Sequence, residues 1–460
     1  MYHRLSAILG LCMILLVLYR CASIPEPPTP DRRTQLGRIG VLALPSTPRV
    51  EFKTFAKGWA AGAAKGGALG AFEGILSSLG ETLRNPPSGP YALPAILITA
   101  VVLTTAHTVV YGVAGALEAV PGKTAAQIEE QLDASIGGVN LTNNLAKEIH
   151  NVSVSRPDLS AHTIKQLGSS VPGTTIAYDD FSKQGFDTIT EVQIIEAGFL
   201  GGSGANLSVR FYLNVHIRLL STNNQTELYT RDFQFLSREL QFEEWFSDGS
   251  KKLISVFKHA VMTLAERIVD ELFLVTNFPF DSGLWALPGQ PEFGTCWFRP
   301  IYPELKYSSL WYSIRHNSPG IHVLYTEVDS AQPLLKWEAF PRPRDQMESN
   351  LQLLNKISDV TYDLKIWETI NDYPEHLVYD KTGLLESEHR LIVPLKPSTK
   401  YFWTLRARYK LAGQSQVTRW AFSNIPSNMA SDYPVRRPGG TCDLDAIPST
   451  NYFRFITPDK

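Results

Sequence analysis

Five glycines recur at strict four-residue spacing: Gly58, Gly62, Gly66, Gly70 and Gly74. In a helix each costs about 1 kcal/mol relative to alanine. Such a stripe is favourable only where a second backbone approaches closely along it, as in the small-residue interfaces of membrane helix pairs. The same Ala/Gly content would also suit a flexible linker, but Trp59, Leu69, Phe72, Ile75 and Leu76 are interleaved with it. Residues 93–120 follow as a near-continuous apolar stretch whose first acidic or basic side chain is Glu118, long enough to span a bilayer by the ~20-residue criterion. Between them, Asn85-Pro86-Pro87-Ser88-Gly89-Pro90 cannot continue a helix and reads as a turn. The expectation is a glycine-zipper helical hairpin, residues 55–120, that either enters a membrane or packs very tightly. Lys57, Lys65 and Glu73 make its first helix the weaker spanner, and Glu73 falls within the arc of the glycines. If inserted, these charges should face protein or water, which is compatible with a homo-oligomer.

The N-terminus has the form of an export signal. His3 and Arg4 precede an apolar run, Leu5 to Tyr19, too short for a comfortable span. Cys21 follows, with Leu18 three residues before it, and this resembles the lipidated cysteine of bacterial lipoproteins; Tyr19 and Arg20 stand where that motif has small residues. The resemblance implies lipidation at Cys21. Cleavage after Ala22 or Ser23, or retention as an uncleaved anchor, are the alternatives. Residues 24–37, opening with Pro25-Glu26-Pro27-Pro28-Thr29-Pro30, form a semi-rigid tether.

At 460 residues and 44% apolar content the chain can bury a sizeable core in two or three domains. A net charge of -2 gives no footprint for nucleic acid. Of four cysteines, Cys12 lies in the signal, while Cys296 and Cys442 flank the C-terminal region. Those two form one disulfide in an oxidising compartment or remain two buried thiols.

Residues 38–276 read as an α/β domain into which the hairpin is inserted. Arg38 to Pro45 is a short strand, and Ala125 to His150 carries apolar residues at helical spacing. The clearest strand alternates Leu207, Val209, Phe211, Leu213, Val215, Ile217 and Leu219 with polar residues. Strands Asp187 to Ala197 and Glu227 to Leu236 flank it, and Lys251 to Leu274 reads as an amphipathic closing helix. The long strand, polar turn, returning strand and closing helix resemble the periplasmic domain of curli-secretion-type lipoproteins and the N-terminal domain of TolB. That resemblance implies assembly or secretion work at the envelope, without catalysis; an inserted hairpin is no part of those families.

After an aromatic-rich linker, residues 277–323, the chain turns all-β over 324–425, with a tail at 426–460. Leu335-Lys336-Trp337 and Val360 to Trp367 read as strands, as does Val417 to Phe422. Leu395, Pro397 and Thr399 leading into Tyr401-Phe402-Trp403-Thr404-Leu405 resemble the fibronectin type III signature. The resemblance implies a sandwich in which Tyr401 is the corner tyrosine, its hydroxyl bonded back to nearby backbone. The long loop Pro341 to Asp359 is either a contact site or a tolerated insertion. Trp297, Phe298, Tyr307, Trp311 and Tyr312 are either interdomain packing or a surface for glycan or a partner.

No catalytic motif is present: there is no HExxH, GxSxG, CxxC or GxxxxGK. The ten histidines are scattered, none paired at ligand spacing on a helix. His216 falls on the polar face of the long strand, and Glu243-Glu244 point apart as adjacent residues do. His107, near the middle of the apolar run, is an ionisable group to be bonded across the helix pair. The expected class is α+β: an α/β domain with an inserted hairpin, then an all-β sandwich. The expected protein is a non-enzymatic envelope lipoprotein without cofactor or metal, facing the periplasm, more often from the outer than the inner membrane. It would bind the membrane and protein partners of the envelope. The alternatives are an oligomeric pore built from the hairpins, and an adhesive or glycan-binding surface protein.

Overall fold

The computed structural model describes residues 27–45, 49–53, 130, 141–160, 162–170, 176–201, 208–241, 244–245, 251–276, 295–296, 298–307, 323–346, 351–370, 373–423 and 452–459. Cys21, the five glycines, residues 93–120 with His107, Glu243 and Cys442 lie outside these. No helix among the described residues is long and apolar enough to cross a membrane. The fold is α+β.

The N-terminal domain is built on one mixed sheet. Its strands are β1 (Arg38–Ala43), β2 (Arg49–Lys53), β3 (Thr163–Ser169), β4 (Thr188–Gly201), β5 (Ser208–Ser221) and β6 (Glu227–Gln241). They are ordered β3-β1-β4-β5-β6, with β2 also pairing β4. β1 runs parallel to β3 and β4, while β4, β5 and β6 form an antiparallel meander. The period-two pattern of β5 is the reason: Val209, Phe211, Leu213, Val215, Ile217 and Leu219 are all buried on one face. Gly40 on β1 lies where side chains of the flanking strands cross, since a Cβ there would come 2.3 Å from Leu167 Cδ1 and 2.8 Å from Ile189 Cδ1.

Two helices cover the apolar face, α2 (Leu141–Ser155) and α4 (Lys251–Val269). Two shorter helices, α1 (Pro30–Thr34) and α3 (Tyr178–Lys183), lie elsewhere on the domain. Leu145 and Ile149 of α2 and Leu253, Ala260, Leu264 and Ile268 of α4 join the strand residues in one core. Each large aliphatic side chain so buried contributes roughly 1.5–3 kcal/mol. The opposite face of the sheet carries polar ladders, including His216 Nδ1 to Asp232 Oδ1 at 2.6 Å and Arg210 Nη2 to Glu239 Oε2 at 3.0 Å.

The second domain is a sandwich. One sheet holds β7 (Pro300–Tyr302), β9 (Leu334–Trp337) and β12 (Glu388–Arg390) in the order β12-β9-β7. The other holds β8 (Thr326–Glu327), β10 (Ile357–Ile370), β11 (Tyr373–Leu384), β13 (Lys400–Leu411), β14 (Gln414–Val417) and β15 (Phe453–Ile456). Its order is β8-β15-β13-β10-β11, with β14 also pairing β13. Leu335 and Trp337 of the first sheet face Tyr362, Leu364, Ile366, Tyr401, Trp403 and Leu405 of the second in a single core. Tyr401 Oη accepts a hydrogen bond from Lys396 N at 3.0 Å, and Tyr362 Oη accepts from Phe340 N at 2.8 Å.

Several elements differ from the sequence reading. Phe453–Ile456, assigned to a tail, is a strand between β8 and β13, because Phe453 and Phe455 supply fully buried rings to the core. Pro300–Tyr302, assigned to the linker, is an edge strand, and the adjacent Phe298 is fully buried beside Phe340 and Tyr362. Within the loop Pro341 to Asp359, Arg342 and Asp345 form a completely buried ion pair, Nη2 to Oδ1 at 2.6 Å. Those two side chains are structural packing. The closing helix is also not one α-helix to its end.

Candidate functional site

From Asp270 to Leu274 the closing helix winds as a π-turn, with Val275 N donating to Asp270 O at 2.8 Å, five residues back. Such turns recur at functional positions because they shift side chains off the regular 100° step. Here Asp270 and Glu271 are both buried, at 8% and 5% exposure. Carboxylates at a helix C-terminus are opposed by the helix dipole and, when buried, by loss of water. They are held because cations of both domains pair with them, Arg406 and Arg419 of the sandwich and Arg156 and Arg231 of the first domain.

Arg406 and Arg408 are placed by alternation along β13. Its odd-numbered residues Tyr401 to Leu411 fill the sandwich core, so Lys400, Phe402, Thr404, Arg406, Arg408 and Lys410 project from the outer face. Arg406 Nη1 lies 2.6 Å from Asp270 Oδ2, and its Nε lies 2.8 Å from Asp363 Oδ2 on β10. Arg408 Nε binds the same Asp363 oxygen at 2.6 Å while its Nη1 pairs with Asp158 of the first domain. Arg156 Nη2 reaches Asp270 Oδ1 at 3.0 Å. Glu271 Oε1 receives Arg419 Nη2 at 2.7 Å, Arg231 Nη1, and Tyr229 Oη at 3.3 Å. The indole of Trp420 lies under the Arg406 guanidinium, 4.4 Å from ring centroid to Cζ.

The N-terminal segment closes this seam. Arg33, on α1 directly after the proline-rich stretch, is only 2% exposed. Its Nε donates to Leu272 O at 3.1 Å and its Nη2 to Glu271 O at 3.2 Å and to Val275 O, carbonyls freed by the π-turn. Its Nη1 donates to Gln416 Oε1 of the sandwich at 2.9 Å. Thr276 Oγ1 donates to the same Gln416 oxygen, and Val275 forms a parallel bridge with Val417, which lies in the core of the first domain. One arginine thus ties α1, the closing helix and the sandwich together.

The electrostatics follow from burial and pairing. Burial alone would raise the pKa of Asp270, but Arg406, then Arg156 and Arg408, outweigh it and hold the carboxyl below its usual range. Arg406 is held above its ordinary value by Asp270 and Asp363 against its own desolvation. Burial lowers Arg33 to about 10, partly offset by Glu271, so it stays charged at neutral pH. Burial and the charge of Arg33 lower the nearby His162.

A cavity of about 40 Å³ lies between Arg231, Arg267, Asp270, Glu271, Arg406, Arg419 and Trp420. It has room for water and falls far short of the roughly 300–1,000 Å³ of a small-molecule site. Asp270, locked as a carboxylate, is not a proton donor near neutrality. The geometry joins the two domains through buried ion pairs and hydrogen bonds. Among the described residues no group of three or more His, Cys, Asp and Glu is placed to hold a metal ion.

None of these seam residues was singled out from the sequence. The signal was there in two places: adjacent acids ending an amphipathic helix, and alternate cations along a strand whose other face is apolar. Of the residues singled out, Tyr401 lies in the sandwich core, His216 and Glu244 on exposed or half-exposed surface, and the Cys296 backbone in a short strand paired with Phe422–Ser423. They do not come together.

No protein-family model matches the chain, and no curated protein matches its sequence. Solved structures give only partial likenesses. Protein XCC0632 from Xanthomonas campestris, of the DUF330 family, is 11% identical with a TM-score of 0.19; the match covers 28% of this chain and 58% of that one. The PelC dodecamer from Paraburkholderia phytofirmans is 11% identical at a TM-score of 0.17, covering 27% of this chain and 72% of that one. Lipoprotein GNA1162 from Neisseria meningitidis is 12% identical at a TM-score of 0.14, covering 49% of this chain and 99% of that one. At such scores none of them carries an argument about this chain's role.

Proposed function

We propose that the chain is a non-enzymatic bacterial cell-envelope lipoprotein, anchored through its N-terminus, that scaffolds or assembles envelope or secretion components. The observation that carries this reading is the place of Arg33. The segment following the proline-rich stretch is not a loose leader but part of the buried joint between the domains. An anchor at Cys21 would sit within about 40 Å of that joint at full extension of the intervening chain. It would therefore present both domains as one oriented body, which is what a scaffold needs and what an enzyme with a mobile leader does not.

The sandwich is read as fibronectin type III-like. Its three-stranded sheet β12-β9-β7, packed on a sheet containing β11-β10-β13-β14, and the bond from Lys396 N to Tyr401 Oη support that. The meander β4-β5-β6 under a closing helix supports the likeness of the first domain to envelope assembly modules. In this reading residues 93–120 add a second membrane contact.

The test is carbonate and detergent fractionation of the expressed chain beside Cys21→Ser and a deletion of residues 58–120. Release by Cys21→Ser alone supports the lipid-tethered scaffold. Release by the deletion alone overturns it in favour of a pore or channel subunit built from the hairpins.

A further inference from the structure

The cavity of about 40 Å³ in the joint has a wall whose charges do not balance. Four guanidinium groups line it, Arg231 and Arg267 of the first domain and Arg406 and Arg419 of the sandwich, against two carboxylates, Asp270 and Glu271. The groups paired with these keep the surplus, since Arg156 and Arg408 join one side and Asp158 and Asp363 the other. Arg231, Arg406, Arg419 and both wall carboxylates are buried. Pairing distributes such charges without cancelling the surplus, and like charges repel far more in a low-dielectric site than in water. Burial raises the Asp270 carboxyl, yet Arg406, Arg156 and Arg408 hold it below its usual range. The potential at this wall is positive.

The aromatic neighbours decide which part of each arginine the cavity meets. Arg231 Cζ lies 5.1 Å and Arg267 Cζ 6.0 Å from the ring centroid of Phe233, and Arg406 Cζ lies 4.4 Å from that of Trp420. Rings take up guanidinium faces. The in-plane N–H edges, which carry all of a guanidinium's donors, form the polar part of the wall. A cation would meet the surplus of like charge, and the volume admits only bodies of about the size of water. Charge and size together select a small anion.

We propose that this cavity binds a small inorganic anion of halide size between guanidinium groups of both domains, and that chloride stabilises the joint by occupying it. Two of the arginines belong to each domain, so the complete site exists only when the domains are docked. Binding and docking are therefore linked. Arg267 and Trp420 are only half-buried, which gives the ion a way in.

The experiment follows Tm of the full-length protein in detergent as chloride is raised at constant ionic strength, with gluconate, too bulky for the cavity, as the balancing anion. At ten times the dissociation constant, occupancy multiplies the folding equilibrium constant about elevenfold. That corresponds to a rise of about 3–6 °C for a domain of roughly 150–250 residues. Arg267→Gln removes one wall charge. Arg267 Nη1 bonds the carbonyl of Gln234 at 2.7 Å, so the ion pairs of Asp270 and Glu271 described above stay in place. In that variant the chloride dissociation constant should rise roughly tenfold, and circular dichroism checks that folding is intact. A Tm indifferent to chloride means that the cavity holds only water, and overturns the proposal. A chloride response that Arg267→Gln leaves unchanged places the ion elsewhere and also overturns it. Anomalous diffraction from bromide-soaked crystals of the wild type decides independently of any variant. A peak between Arg267 and Arg419 supports the site, and its absence overturns it.

Discussion

Asp270 shows how much of the joint hangs on single side chains. It is a buried carboxylate between Arg406 and Arg156. Removing one partner of such a pair strands the other without water, at about 3–5 kcal/mol. Arg406→Met should therefore lower stability by that order, read as a shift in the midpoint of chemical unfolding. The pH dependence has a definite sign. Because the folded pKa of Asp270 is depressed, its contribution is fully present above the unfolded value, about 3.9. It is lost as the pH falls through the folded value. Asp270→Asn should be less stable than wild type at neutral pH and lose less stability in the acid range, measured as Tm from pH 7 to 3. Equal acid slopes for the two proteins would mean that this carboxylate does not carry the joint. A second residue-scale case is Tyr362, whose hydroxyl satisfies Phe340 N. Tyr362→Phe should cost about 1–3 kcal/mol by leaving a buried donor unpaired.

At the scale of elements, alternation decides the outcome. β13 uses one face for the sandwich core and the other for the buried joint, so a one-residue slip would exchange them, setting Trp403 among the joint's charges and Arg406 in the apolar core. β1 is constrained in another way: Gly40 leaves room for Leu167 and Ile189 from the strands on either side. Gly40→Val should disrupt the parallel pairings of β1 with β3 and β4. Hydrogen exchange at Val41 and Leu42, faster than in wild type while β13 stays protected, is the expected result. The period of each element was legible in the sequence. β5 and β6 largely alternate as period two predicts, β13 instead is buried on both faces with its charged residues in the joint, and α4 has the apolar stripe of a helix. The π-turn was not legible, because nothing local in Asp270 to Leu274 distinguishes an i+5 from an i+4 hydrogen bond. It is favoured by groups more than a hundred residues away, Arg33 and Arg406.

For the whole molecule, the segment around Arg33 is a structural part of the domain junction. Leu36 O accepts from Thr188 Oγ1 at the beginning of β4, while β2 ends at Lys53 opposite Leu200 near its other end. The chain before Arg33 and the chain after Lys53 thus leave from opposite ends of β4, separated by about 40 Å at ~3.3 Å per residue. Arg33→Ala should loosen the sandwich from the first domain without unfolding either. Hydrogen exchange would then rise in Gln414–Val417 and in the π-turn, with the cores of β5 and β10 unchanged; uniform loss of protection would instead mean global destabilisation.

By itself the sequence determined the local order: which stretches are strands or helices, which face of each is apolar, and that an all-β unit follows an α/β one. Those properties reside in period and composition, which neighbouring residues express without help from distant ones. Only the tertiary structure decided that Phe453–Ile456 is an inner strand, that Arg342 and Asp345 are wholly buried, and that Asp270 and Glu271 meet Arg406, Arg419 and Arg33. A charge in sequence reads as solvated surface until its partner is known. The partners here come from segments far apart in the chain, brought together because burying the outer face of β13 against the closing helix leaves those charges no other neighbours.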